Sequence, residues 1–349
     1  MAEGDQSRRG YDSILGVAEE TTLGTYVTAT ATDYFHSESL KLTREKMRGE
    51  SINSTRDNVF LVQGKESVEG AIELDVNLQS DLFHLILKQA MGGTVSSARA
   101  ASTTIASYRH TFAVGNMENN DSSVSSADVK GLSFWVRRGD TTTNGFAFFG
   151  NRVNQLTISG EVGQPVKVSA EVMGFSGSLT TFNITPSFTS IRPVMFDDVN
   201  IALADSVGGS FTTITAQAFE VVLNNNLLGD DPSYRLGSRI RGVLPPGVRN
   251  VTGKITQRYD TTTTYNRFIQ NTYTAFQIQI RTGMTITSSA NDTTYTMDID
   301  LPSCYVKESQ PEVGDSGILS HEIELEAIGQ NTSTSFPIRV ITQNATAGY

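Results

Sequence analysis

Apolar and polar residues alternate with a period of two along most of this chain. GLSFWVRR, QLTISGEV, FEVVLNNNL and YTMDIDLP all show the pattern, which is typical of half-buried β-strands. The segment LFHLILKQAM at 82–91 instead has apolar residues at helical spacing, and it is too short to span a bilayer. The pattern therefore predicts a mainly β protein with an amphipathic helix.

The same order of segments occurs twice. VEGAIELDV at 68–76 resembles VTGKITQRY at 251–259, so that Gly70 aligns with Gly253 at an offset of 183. At this offset the apolar stripe of the helix meets four further apolar residues, in the pairs Leu82/Tyr265, Leu85/Phe268, Ile86/Ile269 and Ala90/Tyr273. Each copy closes on a similar strand, KVSAEVMG at 167–174 and EIELEAIG at 322–329, at an offset of 155. We infer a tandem duplication.

The two offsets differ, so the first copy holds surplus residues. The polar stretches 94–107 and 116–128 are predicted to be the loops that contain them. The charged stretch 43–58 lies between two strands and is predicted to be a long extended loop or hairpin. We divide the chain into segments with the bounds 1–30 for an N-terminal arm, 31–178 for a first β domain, 179–190 for a polar linker and 191–349 for a second β domain.

The composition narrows the classes of function. Only 18% of the residues are charged, and the formal net charge is −10, which argues against a protein that grips nucleic acid through its phosphates. Cys304 is the single cysteine, so there is no disulfide framework, and a small buried hydrophobe is its simplest interpretation. The first residues, MAEGDQSRRG, lack the apolar core of a signal peptide.

Catalytic and metal-binding patterns are absent from the sequence. There is no phosphate-binding glycine loop, no GxSxG elbow and no HExxH motif. The four histidines lie far apart, and His84, on the helix, is predicted to be structural. Three acidic pairs could bind a cation but have no ligand pattern around them: Asp197/Asp198, Asp230/Asp231 and Asp298/Asp300. We therefore expect no enzyme activity and no cofactor.

Carboxylates concentrate on single faces of the predicted strands. The alternation in HEIELEAIG places Glu322, Glu324 and Glu326 on one side, and YTMDIDLP does the same with Asp298 and Asp300. The equivalent face of the first copy holds Lys167, Ser169 and Glu171. A solvated face is the simpler interpretation, but three glutamates at period two repel one another. A function that needs a negative surface is therefore a second interpretation.

The copies differ in charge at aligned positions. Glu69, Glu73 and Asp75 become Thr252, Thr256 and Arg258, and Lys254 replaces Ala71. Such faces could meet as complementary partners if the copies alternate around a ring. The candidate contacts between units are Glu69, Glu73, Asp75, Lys254 and Arg258, with Arg44, Lys46 and Arg48 from the charged stretch.

These segments resemble the two-domain tail tube proteins of long-tailed bacteriophages. In the first half the resemblance lies in GTYVTAT, SESLKLTRE, GKESVEGAIELDV, the helix that ends at Gly92 and Gly93, and NRVNQLTISGEVGQPVKVSAEVMG. In the second half it lies in FEVVLNNNLL and PPGVRNVTGKITQRY. It covers nearly all of the chain after about residue 15 and rests on pattern and order rather than on an invariant motif.

The resemblance implies a fold and a task. Each copy would be a β-sandwich or barrel with one flanking α-helix, and three chains would form a pseudo-hexameric ring. Stacked rings would make the channel through which DNA is ejected from the virion tail, after assembly in the host cytoplasm. The implied partners are further copies, a tape measure protein in the lumen, tail terminator and tail tip proteins, and passing double-stranded DNA without specific binding, with no membrane insertion. Segments 43–58 and 1–30 would reach the next unit or ring.

A negative channel wall would repel phosphate, whereas a basic one would hold the duplex. The candidates for lining the lumen are Glu171, Glu322, Glu324, Glu326, Asp298 and Asp300. Other functions stay open: a ring-forming tail adaptor or secretion-tube relative, a tandem β-sandwich that binds a receptor or carbohydrate, and a hydrolase. The single tryptophan, Trp135, speaks against a carbohydrate site, and the lack of an acid–base constellation speaks against a hydrolase.

Overall fold

The computed structural model describes residues 10–48, 60–92, 94–100, 107–114, 130–139, 144–181, 184–259, 262–286, 293–309, 311, 319–329 and 336–349. These residues are mainly in antiparallel strands, as the alternation predicts, with two α-helices, α1 (Asp81–Ala90) and α2 (Thr263–Gln270).

The described strands of the first half are β1 (Ile14–Glu19), β2 (Ala31–Asp33), β3 (Ser37–Glu38), β4 (Lys41–Arg48), β5 (Leu61–Asp75), β6 (Thr94–Arg99), β7 (Tyr108–Ala113), β8 (Leu132–Arg137), β9 (Asn144–Glu161), β10 (Lys167–Gly174) and β11 (Ser176–Thr181). Those of the second half are β12 (Val199–Ala204), β13 (Phe211–Thr213), β14 (Ala216–Asn224), β15 (Asn250–Arg258), β16 (Tyr273–Thr285), β17 (Thr294–Glu308), β18 (Ser320–Ala327) and β19 (Arg339–Asn344).

Seven strand pairings of the first half recur in the second half in the same order. They are β1–β2 and β12–β13, β1–β8 and β12–β16, β8–β9 and β16–β17, β9–β10 and β17–β18, β9–β11 and β17–β19, β10–β5 and β18–β15, and β5 with β3–β4 against β15 with β14. The register agrees as well. Glu69 and Thr252 are aligned in the repeat, and they lie opposite Lys41 of β4 and Val222 of β14, respectively. We call β1–β5, α1 and β8–β11 unit one, and β12–β19 with α2 unit two.

In each unit one long strand bends, so that its two parts belong to different sheet layers. The first part of β9 pairs with β8 and β11, and its second part pairs with β10. Gly150 lies at the change, with φ of +69°, and a Cβ there would lie 2.4 Å from the Phe175 ring. Apolar residues of both layers, such as Leu15 and Ile72, are fully buried between them. Burial of these alternating faces provides most of the driving force for folding.

Helix α1 is part of this core. The Ser80 hydroxyl caps its first turn by accepting from the Phe83 amide at 3.3 Å. Three residues of its predicted stripe, Leu82, Ile86 and Ala90, are completely buried. Cys304 is also buried, as expected for a small hydrophobe.

The predicted arm at 1–30 contains the strand β1. Ile14–Glu19 form β1, which is almost wholly buried because it pairs with β2 on one edge and β8 on the other. Residues 1–9 of that segment lie outside the described residues. β1 is the counterpart of β12, so the first unit starts well before residue 31.

Part of one predicted loop is a strand. Within 94–107, residues 94–99 form β6, which makes a hairpin with β7, and β7 pairs along its other edge with β19 of unit two. The stretch 116–128 lies outside the described residues. The charged stretch 43–58 is the predicted hairpin as far as it is described, since β4 pairs with β5 from Lys41 to Arg48.

The predicted linker at 179–190 is tied to unit one. Residues 179–181 end strand β11. Further on, the Ser187 amide donates to the Thr32 hydroxyl at 2.8 Å, and the Ser190 amide donates to the Gln79 side chain at 2.9 Å. Its described residues therefore lie against the first unit.

A buried polar cluster ties α1 to unit two. His84 bonds through Nδ1 to the Ser80 carbonyl at 2.7 Å and through Nε2 to the Thr342 hydroxyl at 3.1 Å, which confirms its structural role. The Tyr349 ring stacks on His84 with centroids 4.6 Å apart. Asn344 links His110 to the Tyr349 hydroxyl, and that hydroxyl also lies 3.2 Å from Asp81.

Burial of His84 makes stability depend on pH. Desolvation lowers the pKa of His84 from 6.5 to about 3, so the folded protein keeps it neutral. The unfolded chain binds a proton below pH 6.5, and stability is therefore full above that pH and falls as the pH falls. Linkage predicts a loss of about 2 kcal/mol between pH 7 and pH 5. Thermal unfolding of unassembled protein at both pH values should show this loss, and His84→Gln should show a clearly smaller one. Equal losses in both proteins would contradict the assignment.

Gly70 and Gly253, aligned by the repeat, should respond differently to substitution. A Cβ at Gly70 would lie 2.6–2.7 Å from backbone atoms of Ser39 and Leu40, where β3 passes into β4. A Cβ at Gly253 would meet the Phe276 ring at 3.6 Å, an ordinary contact. We expect Gly70→Ala to cost about 1–3 kcal/mol in denaturant unfolding, and Gly253→Ala to stay within about 0.5 kcal/mol of the wild type. Equal losses of stability in the two variants would show that the backbone between β3 and β4 does not lie against Gly70.

Candidate functional site

One sheet runs through both units without a break. Strand β9 of unit one pairs with β14 of unit two over seven positions, from Glu161 opposite Ala218 to Gln155 opposite Asn224. This joint gives a sheet of eight strand positions in the order β3–β4, β5, β10, β9, β14, β15, β18 and β17. Backbone hydrogen bonds thus connect the two units.

The two faces of this sheet differ in character. Apolar residues such as Val168, Ile158 and Val221 face the core. Side chains in register on the other face are almost all polar, because opposite residues of neighbouring strands share a face. One row comprises Ser37, Glu73, Ser169, Thr157, Val222, Thr252, Glu326 and Tyr305. A second row comprises Asp75, Lys167, Ser159, Glu220, Lys254 and Glu324. We call this surface the polar face.

Carboxylates dominate the polar face. On its six central strands the acidic residues are Glu69, Glu73, Asp75, Glu161, Glu171, Glu220, Glu322, Glu324 and Glu326, and the basic ones are Lys65, Lys167, Lys254 and Arg258. The hydrogen bond from Lys254 to Glu322, 2.7 Å long, raises the pKa of Lys254, and the charges of Glu322, Glu220 and Glu324 act in the same direction. Lys254 is thus surrounded by carboxylates.

The predicted lumen residues fall into two groups. Glu171, Glu322, Glu324 and Glu326 lie together on the polar face. Asp298 and Asp300 lie on the part of β17 that pairs with β16 and β19, away from β18. There Asp298 forms an ion pair with Arg281 at 2.6 Å, and Asp300 forms one with Arg339 at 2.8 Å. These two aspartates therefore do not extend the acidic surface of β18.

The predicted contacts between units fall into two groups as well. Glu69, Glu73, Asp75, Lys254 and Arg258 lie on the polar face with the lumen candidates. Strands β5 and β15 are separated by β10, β9 and β14, so their unlike charges do not meet within the chain.

The basic residues of the charged stretch have other positions. Arg44 pairs with Glu66 of the same hairpin at 2.8 Å. Lys46 and Arg48 are exposed near the end of β4. Neither of these two lies on the polar face of the central strands.

The side-chain contacts that join the units involve a segment, 225–249, for which the sequence predicts no such role, and Glu69, which is among the predicted contacts. The segment follows β14 and crosses the ends of β9, β10 and β5; we call it the crossing segment. Asn225 donates to the carbonyls of Ala90 and Val153 at 2.9 and 3.1 Å. Arg241 donates to the Gly174 carbonyl at 3.1 Å and pairs with Glu69 at 2.9 Å. Both side chains are almost fully buried, so the crossing segment fixes unit two on unit one.

Two strand edges of the long sheet have no partner within the described residues. One is the outer edge of β3–β4, and the other is the end of β17 beyond Tyr305. Unpaired edges favour addition of another strand. In the repeat these edges occupy the positions of β14 and β9, which pair with each other at the joint.

A metal or catalytic centre does not emerge from the described part of the chain. No group of three or more potential metal ligands occurs there. Of the acidic pairs, Asp198 is bound by Arg192 at 2.7 Å and Asp231 by Lys65. Trp135 is buried and offers no exposed platform for a sugar. Among the described helices none has the length and apolarity to cross a membrane.

Comparison with known proteins gives one extensive match. A family model described as phage tail tube protein matches residues 10–327. A solved structure of the SPP1 tail tube is similar at 16% identity, over 44% of this chain and 79% of that chain, with a TM-score of 0.30. No curated protein matches the chain.

Proposed function

This chain belongs to the phage tail tube protein family, and we propose that three copies of it close into a ring whose stacked assembly forms the channel for DNA in the virion tail. The structural role in a tail tube follows from the family. The ring, its symmetry and the channel are inferred from the geometry of the long sheet.

The joint between β9 and β14 carries this proposal. It shows how one unit binds the next, through an edge of the β9 type and an edge of the β14 type. The chain ends its sheet with one free edge of each type, at β17 and at β3–β4. Repeating the same joint between chains pairs these edges, so each copy binds the next head to tail. Head-to-tail contacts give a closed ring when the rotation per unit fits.

A ring of three chains would have a channel wide enough for DNA. Eight strand positions per chain give 24 in a ring of three. With strands about 4.8 Å apart and tilted by about 40°, such a barrel is about 48 Å across its backbone. Side chains on the inner face leave room for a DNA duplex. Two units per chain then make a pseudo-hexamer from three chains.

The polar face would line this channel. Its carboxylates repel the phosphates of DNA. Binding to the wall would therefore release no counterions from the duplex, and the duplex can slide past it. The other face is buried in the core and is not accessible to DNA. Lumen residues in this proposal are Glu171, Glu220, Glu322, Glu324 and Glu326.

The remaining expectations form part of the same proposal. The subunit has a structural role without enzyme activity. A tape measure protein occupies the lumen before ejection, and tail terminator and tail tip proteins bind the two ends. Assembly takes place in the host cytoplasm.

Purified full-length protein at high concentration should form rings, because each chain carries both edge types, and these rings should stack into long tubes. Negative-stain microscopy and light scattering over a concentration series measure this assembly. Single rings that do not stack would indicate a tail adaptor instead. Monomers at all concentrations would contradict self-assembly through these edges.

Reversing charges on the polar face should make the channel wall retain DNA. We expect tubes of the double variant Glu324→Lys, Glu326→Lys to form and to bind labelled duplex DNA at low salt, with binding lost as salt rises. Sedimentation of tubes with the duplex measures retention. Asp205→Lys, at a residue 87% exposed outside the long sheet, is the control and should not retain DNA. Equal retention by control and double variant would place the polar face outside the channel.

A further inference from the structure

A buried row of side chains in unit one ends in an exposed apolar pair. Leu15 and Val136 lie opposite each other on β1 and β8 and are completely buried. Phe146 of β9 lies opposite Val136, and Leu179 of β11 lies opposite Phe146. These two side chains continue the row on the same face of the sheet, but they are 37% and 68% exposed. We call Phe146 and Leu179 the edge pair.

The corresponding row of unit two is buried to its end. Its members lie opposite one another on β12, β16, β17 and β19, and none is more than 6% exposed: Ile201, Ile278, Ile299 and Val340. The correspondence rests on strand register, because both units have the same irregularity. β9 has one more residue than β8 just before Asn151, and β17 has one more residue than β16 just before Cys304. Counted from there, the edge pair matches Ile299 and Val340.

Unit one supplies the cover over the end of this row in unit two. Phe112 of β7 lies opposite Val340 and is completely buried. Thr342, two residues after Val340 on the same face, bonds to His84 of α1 at 3.1 Å. The face of β19 that holds Val340 therefore lies against α1 and is extended by β7.

The edge pair has no such cover among the described residues. Unit two contains no hairpin after its helix, because α2 ends at Gln270 and β16 begins at Tyr273. The edge pair lies close to the free edge of the long sheet, since the Arg138 guanidinium is 4.9 Å from the centre of the Phe146 ring and 2.6 Å from Glu38 of β3. It is therefore beside the edge at which the proposed ring adds another chain.

We propose that helix α2 of the neighbouring copy in the ring covers the edge pair. The proposal rests on the proposed ring and deepens it, because it adds a side-chain contact to the strand joint. The contact inside the chain is the template: β14 pairs with β9, and α1 of unit one then lies against β19 of unit two. Between chains, β3–β4 pairs with the end of β17, and α2 then lies against β11. Ile269 offers an apolar side chain for this contact, since it is 61% exposed on α2.

Photo-crosslinking of full-length protein tests this docking. Leu179 is replaced by p-benzoylphenylalanine, the protein is assembled into tubes and irradiated, and the attached peptide is identified by mass spectrometry. We expect attachment to α2, residues 263–270, of another copy. Covalent trimers should be the largest product on a denaturing gel, because three lateral contacts close a ring. The same replacement at Leu236, a fully exposed leucine of the crossing segment, is the matched control and should not attach to α2.

A charge at Leu179 measures the contribution of the docking to assembly. Leu179→Asp changes an exposed side chain, so it should unfold at the same denaturant concentration as the wild type. We expect the concentration needed for tubes to rise about tenfold, because a carboxylate would be buried against α2. Leu179→Met keeps the site apolar and should assemble like the wild type.

The outcomes separate the docking from the ring. Tubes in which residue 179 attaches to another segment, to α2 of its own chain or to nothing would overturn the docking and leave the tube intact. A ladder beyond trimers would place the contact between stacked rings and overturn the docking as well. Equal assembly of Leu179→Asp and Leu179→Met would have the same consequence. Wild-type protein that forms neither tubes nor rings would overturn the proposed function and the docking with it.

Discussion

The backbone pairing of β9 with β14 is the interaction on which the rest of this structure depends. A strand edge inside a protein must satisfy its amide and carbonyl groups, and the chain does so by joining its two units along seven positions. The joint turns two sandwiches into one sheet with a core face and a polar face. It also leaves the chain with two edges of the same types as those that pair at the joint, at β3–β4 and at the end of β17.

The crossing segment strengthens this joint in a way that backbone pairing alone would not. Asn225 and Arg241 are buried polar side chains that donate hydrogen bonds to carbonyls of unit one, and Arg241 also pairs with Glu69. Removal of either would leave buried acceptors unsatisfied, which costs more than the bond itself contributes. Unit two is therefore held rigidly on unit one. The β6–β7 hairpin adds a further connection, since it leaves unit one and pairs with β19 of unit two.

Part of this architecture can be predicted from the local pattern of the sequence. The alternation of apolar and polar residues predicts most strands and the acidic side of β18, because a strand's two faces are set by its own residues. The repeat of Gly70 and Gly253 predicts the matching β5 and β15. Sequence could not show the β9–β14 joint, since backbone hydrogen bonds place few demands on side chains. It also misread residues 14–19, where a short apolar run is a buried strand, and the exposure of α2, which depends on what packs against the helix.

A map of the assembled tube at a resolution that separates strands would show directly whether chains join as the two units do. We expect threefold rings in which the Ser37–Lys41 edge of each chain pairs with the end of β17 in the next, as β14 pairs with β9 within the chain. We also expect the polar face to line the lumen. Rings in which β3–β4 stays unpaired, or in which the polar face points outward, would contradict it.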